Sequence, residues 1–185
     1  MKEISLNILD IAKNSTKAGA ALTTITLNET EDTLTLVISD DGCGMDEETV
    51  RNVSNPFYTT RTTRKVGMGI PLLKLSAEQT GGSFEIKSKP QSEFPTEHGT
   101  VVTAVFNKNH IDFTPLGDVT GSIVTLIQGD PQVDFLFTHT MPKGMVSLDT
   151  RELREVLGEV PLDTFEVIMW ITENLNEQYE EINAL

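Results

Sequence analysis

A single cysteine, Cys43, leaves this 185-residue chain without an internal disulfide or a cysteine-built metal site. Basic residues are scarce as well. Fourteen Lys and Arg stand against 28 Asp and Glu, and the formal charge of −14 repels phosphate backbones and anionic lipid surfaces. No apolar run approaches the roughly 20 residues needed to span a bilayer, and residues 1–25 lack a secretory pattern. Nucleic acid and membrane are therefore excluded as expected partners, and a reducing cytoplasm is the expected setting. Repeats and low-complexity tracts are missing too. What remains is 38% hydrophobic, enough for one sizeable domain or one domain with a small appendage.

The opening stretch "MKEISLNILDIAKNSTKAGA" reads as a helix ending at Gly19, with Ile4, Ile8 and Ile11 as a buried stripe. Asn7, Asp10, Asn14 and Lys17 share another face, within an arc of roughly 80° at about 100° per residue. A solvated polar face is one reading. The other is a site for hydrated Mg²⁺ and phosphates, because magnesium prefers few protein oxygens and keeps its waters.

"TTITLNETEDTLTLVISD" alternates with period two around an acidic turn at Asn28–Asp32, a hairpin that runs into "SDDGCGM" at residues 39–45. Here Asp40 ends a strand just before a Gly-Cys-Gly turn. Such turns use Asp and Gly routinely, so by itself the motif leaves punctuation and ligand contact both open. "MDEETVRNVSNPF" follows as a short helix capped by Asp46, and "YTTRTTRKVGMGI" gathers Arg61, Arg64 and Lys65, the densest cations of an acidic chain. "PLLKLSAEQTGG" is a helix closed by Gly81-Gly82, and "SFEIKSK" and "GTVVTAVF" are two strands.

Taken in order, the Asn14 helix, "DDGCG", "NPFYTTR", "GMGIPLLK" and "GGSFEIKS…GTVVTAVF" resemble the GHKL ATPases over residues 1–107. That family includes gyrase, the heat-shock chaperone, histidine kinases and mismatch-repair MutL, and the histidine-kinase-like branch fits best. The resemblance implies an α+β fold, the two-layer Bergerat sandwich with a mixed, mainly antiparallel sheet. It implies ATP and Mg²⁺ as cofactors and a domain over residues 1–108. Asn14 matches the family's magnesium-binding Asn, and Lys17 a lysine that histidine kinases place near the phosphates. Asp40 matches the acceptor of the adenine amino group, Gly42 and Gly44 the glycines that admit the base, and Met45 an apolar face against it. Thr100 matches a threonine that supports adenine binding through water. Gly67 and Gly69, with Met68 and Ile70, match the later glycine box at the start of a helix, where backbone N–H groups approach phosphates. Tyr58–Val66 stands where the lid lies, with Arg61 and Lys65 as triphosphate contacts and Phe57 as a packing anchor.

Two departures bear on chemistry. The residue four before the magnesium Asn is usually Glu in hydrolysing members, and here it is Asp10, one methylene shorter. It is the candidate catalytic residue. Lys65 replaces the first glycine of the later box.

After Asn107 the resemblance ends, leaving a small α/β extension over residues 113–185 that packs on the ATP fold or offers a partner or dimer surface. "FTPLGDVTGSIVTLIQGDP" reads best as a helix with Thr114 as N-cap and Pro115 in the first turn, a strand being the alternative. "QVDFLFTHTMPKGMVSL" is a hairpin, "DTRELREVLG" a helix opened by Asp149 and Glu152, and "DTFEVIMWITENLNEQYEEI" a long amphipathic helix with Phe165, Ile168, Met169, Ile171 and Leu175 apolar. His98, His110 and His139 are isolated and read as surface or packing residues. The expected function is Mg-ATP binding with γ-phosphate transfer to a partner protein in trans; slow hydrolysis or nucleotide sensing is the alternative.

Overall fold

The period-two alternation of the first hairpin becomes β1 (Leu22–Glu29) and β2 (Thr33–Asp40), antiparallel, with Ile25 opposite Ile38 and Leu27 opposite Leu36. The computed structural model describes residues 3–53 and 69–184. Four further strands complete the sheet: β3 (Ser83–Lys89), β4 (Gly99–Asn107), β5 (Asp134–Met141) and β6 (Gly144–Asp149). Their order is β3-β4-β2-β1-β5-β6. Four of the five pairings are antiparallel, and β1 and β5 run parallel.

The helices are α1 (Ile4–Lys17), α2 (Glu47–Val53), α3 (Gly69–Gln79), α4 (Val119–Gly129), α5 (Thr150–Leu157) and α6 (Phe165–Asn183). The sheet alternates strictly, so one face carries Ile25, Leu27, Leu36, Ile38, Val102, Ala104 and Phe137 to the helices, all buried. From α1 the predicted stripe Ile4, Ile8 and Ile11 meets this face at 0%, 0% and 3% exposure. The architecture is the expected α+β one, a mixed sheet with a helical layer.

The sheet does not stop at residue 108. β5 lies beside β1, with Ile25 opposite Phe137, and the apolar cluster runs without a break from Ile4 to Ile182. A buried polar bridge ties the two stretches together. The neutral His139 ring receives the Tyr179 hydroxyl at Nδ1 (2.9 Å) and donates from Nε2 to the Glu29 carboxylate (3.2 Å). Lys108 Nζ reaches the other Glu29 oxygen at 2.6 Å. Burial holds the His139 pKa below its ordinary value in spite of Glu29, so this contact is a hydrogen bond from a neutral ring and no ion pair. Burial also pushes the Tyr179 hydroxyl up.

Two expectations need correction. The helix of the extension starts at Val119, capped by the Asp118 carboxylate on Gly121 N–H at 2.7 Å, and Thr114 is not its cap. Residues 113–117 are used elsewhere: the Pro115 and Leu116 carbonyls accept the Ile4 and Ser5 N–H groups. α1 has no side-chain cap of its own, so its orphan donors hold that segment out of a helix. The second concerns α6, which buries Val167, Ile171, Leu175 and Ile182 but leaves Phe165 73% and Met169 43% exposed.

Candidate functional site

Where the sheet's inner face ends, register lines up four polar residues across four strands. Ser88 on β3 pairs with Thr100 on β4, Thr100 with Asp40 on β2, and Asp40 with Thr23 on β1. Directly opposed residues bring their Cβ atoms to about 5 Å. The Ser88 and Thr100 hydroxyls lie 2.9 Å apart, and Ser88 Oγ accepts the Met45 N–H at 2.8 Å.

The two aspartates of "SDDGCG" have different tasks. Asp41 is structural: one carboxylate oxygen accepts the Ala21 and Leu22 N–H groups at 2.8 and 2.9 Å. Asp40 is half-buried; it accepts Ser15 Oγ at 2.6 Å on one oxygen and the Gly42 N–H at 3.0 Å on the other. An ionised carboxylate has about four acceptor positions, so two remain. The glycines have backbone reasons of their own. A Cβ at Gly42 would stand 2.9 Å from the Ala18 Cβ, and Gly44 has φ +66° with the Lys89 carbonyl where a Cβ would go. Punctuation and an available acceptor thus coexist in this turn.

Asp40, Thr100 and Ser88 face a cleft of about 670 Å³, together with Val50 of α2, Ile86 and His98. That is the usual size and character of a small-ligand site, apolar walls with a few convergent polar groups. The His98 Nδ1–H donates to the Gly42 carbonyl at 2.7 Å and fixes the rim. Thr49 holds the Asp46 carboxyl below the usual carboxylate range through its backbone and hydroxyl hydrogen bonds, which marks the N-cap of α2.

Of the polar face on α1, Asp10, Asn14 and Lys17 reach the surface side, Asn14 being half-buried, while Asn7 is fully buried. Its amide and the Thr23 hydroxyl have no hydrogen-bond partner among the described residues. Asp10 meets the first residue of α3, where a Cβ on Gly69 would come to 3.0 Å from the Asp10 Cβ. Close approach between helices therefore accounts for Gly69. Ile70 is 7% exposed and belongs to the core. Met45 lines a neighbouring hollow of about 450 Å³ with Asp46 and Pro90, outside the lining of the Asp40 cleft. Arg61, Lys65, Gly67 and Met68 lie outside the described residues.

Sequence reasoning missed Ser15, Ser88, His98 and Gly99. Ser15 directly follows Asn14, and Ser88 would have emerged from pairing the two last strands in register. Gly99 (φ +130°) is needed because the Asp40 carbonyl occupies the place of its Cβ.

The family model described as "Histidine kinase-, DNA gyrase B-, and HSP90-like ATPase" matches residues 1–110. The chain belongs to this ATP-binding GHKL family. The sensor histidine kinase YvrG of Bacillus subtilis is 30% identical over 111 residues, covering 58% of this chain and 18% of that protein. The sensor protein SrrB of Staphylococcus aureus is 33% identical over 94 residues, covering 48% of this chain and 16% of its own. The chain thus spans under a fifth of the length of these relatives. A solved structure of the N-terminal domain of a DNA repair protein shares the fold, with TM-score 0.52 at 14% identity, covering 80% of this chain and 53% of that one. Among the described residues of this GHKL chain, no helix is long and apolar enough to cross a membrane.

Proposed function

We propose that the protein binds Mg-ATP in the cleft at the end of β2 and passes the γ-phosphate to a partner protein supplied in trans. The observation that carries this reading is Asp40. Its carboxylate is oriented by Ser15 and Gly42, stands in register with Thr100, and keeps acceptor capacity at the floor of the cleft. An adenine amino group is a donor that this acceptor suits, and guanine lacks a donor at that place.

The magnesium fit rests on the donor set. Among the described residues no group of three His, Cys, Asp or Glu side chains is gathered for a metal. One amide oxygen, from Asn14, suits an ion that takes its other ligands from phosphate and water. Lys17, Arg61 and Lys65 would balance phosphate charge, with backbone N–H groups near Gly67 and Gly69 as further donors. Bound Mg-ATP supplies the transferable phosphoryl group. Asp10, beside the start of α3, holds a proton or orders the attacking group.

Nucleotide sensing without turnover is a second reading, and its own observation is that β5 and β6 continue the sheet that carries Asp40. Incubation with γ-labelled ATP and a cell extract separates the two. Phosphotransfer predicts one labelled acceptor, and Asp10→Asn should cut its labelling rate by roughly 10²–10⁴ with ATP affinity little changed. Bound ATP without any labelled protein would leave the sensing reading.

A further inference from the structure

Six large apolar side chains stand exposed in one short stretch, among them Met145 (56%), Val156 (86%), Phe165 (73%) and Trp170 (49%). One of them, Trp170, lines a hollow of about 260 Å³ at the β6 edge, where Leu136 and Leu153 complete the apolar wall and Glu152 stands at the rim. On α6, Phe165 and Met169 are one turn apart on the same face, and at about 100° per residue Glu166 and Glu173 project between Met169 and Trp170. Residues 149–185 hold ten acidic side chains against two arginines. Both arginines are engaged, Arg151 with Asp149 at 2.6 Å and Arg154 with Asp134 at 2.7 Å. Glu155, Glu159, Glu166 and Glu173 have no basic partner among the described residues.

We propose that this hollow and its acidic rim dock a basic amphipathic segment of a partner protein, an apolar anchor against Trp170 and lysines or arginines against the carboxylates. Aromatic and methionine anchors in a water-excluding ring are what binding surfaces concentrate, and a carboxylate rim selects the sign of the partner. A second copy of this chain is disfavoured, because it would set unpaired carboxylates against carboxylates. The surface is separate from the Asp40 cleft, so its test needs no nucleotide and is independent of the ATP reading.

Trp170 is the sole tryptophan and reports directly on the patch. The probe is a leucine-lysine peptide patterned for about five helical turns, free of aromatics, titrated into the full chain. Binding should move Trp170 emission to shorter wavelength. Glu166→Lys with Glu173→Lys, and separately Met169→Glu, should each weaken binding by about tenfold or more with the melting temperature retained. Glu31→Lys with Glu93→Lys carries the same net charge on distant surfaces and should bind the peptide as the parent does. Equal weakening by that control, equal binding of a leucine-glutamate peptide, or a dimer in sedimentation that Met169→Glu dissolves would each overturn the proposal.

Discussion

At its β3 end the inner face of the sheet finishes in polar groups open to a cleft; at its β6 end the same face finishes under α6. β3 guards its edge with exposed charge, Lys87 with Glu85 at 2.9 Å and Lys89 with Glu97 at 3.0 Å. Such pairs contribute little stability, yet they deter edge-to-edge pairing. β6 is sealed by a side chain instead. Gln178 accepts the Ser147 N–H at 2.9 Å and donates to the Ser147 carbonyl at 3.1 Å, pairing that residue as a neighbouring strand would. One end therefore opens polar side chains to a cleft, and the other pairs an edge residue with a side chain of α6. The same sheet thus ends in an open polar cleft on one side and in internal packing on the other.

The strongest way to break that comparison is to empty the sealed end. Phe137 is fully buried, opposite Ile25 of β1. Phe137→Ala should cost about 3–5 kcal/mol, and Trp170 fluorescence and far-ultraviolet circular dichroism should lose their signals in one coincident denaturation transition. Separate transitions would show that the extension and the ATP fold unfold apart.

The buried bridge gives a pH test. His139 is held below its ordinary value of 6.5 by burial. Below that value the unfolded chain takes up a proton that the folded chain refuses. Stability should therefore fall as pH drops through 6.5, with a slope of at most about 1.4 kcal/mol per pH unit. His139→Gln should flatten this dependence in urea titrations from neutral to mildly acid pH. An unchanged slope would remove His139 as its source.

The smallest expected effect sharpens the contrast between the edges. Gln178→Ala leaves the Ser147 groups to water at a cost of about 0.5–1.5 kcal/mol, read as a shift of the denaturation midpoint. Breaking the β3 pair with Lys87→Ala should cost less, since both partners are exposed.

Much of this was legible in the sequence because local chemistry and global fold agree. The Ile4-Ile8-Ile11 stripe, the hairpin ending at Asp40 and the Asp46 cap each rest on spacing that tertiary contacts did not override. The start of α4 was illegible for a tertiary reason: the carbonyls of Pro115 and Leu116 are taken by the distant N-terminus of α1. The apolar arc of α6 was too wide for periodicity alone to choose its packed side, and contact with α4 and β6 chose Val167, Ile171 and Leu175. At the site, residue types pointed to Asp40 and Thr100, whereas Ser88 and Ser15 became visible only through strand register and the descent of α1 onto β2. Asn7 shared the polar face by spacing, yet close packing buried it.

The most direct measurement is calorimetric titration of parent and Asp40→Asn protein with MgATP and with MgGTP. The parent should bind ATP more tightly than GTP, and the substitution should weaken ATP binding by on the order of 1–3 kcal/mol while the melting temperature without nucleotide stays near the parent's. Equal affinity of the parent for both nucleotides, or unchanged ATP affinity in Asp40→Asn, would contradict this.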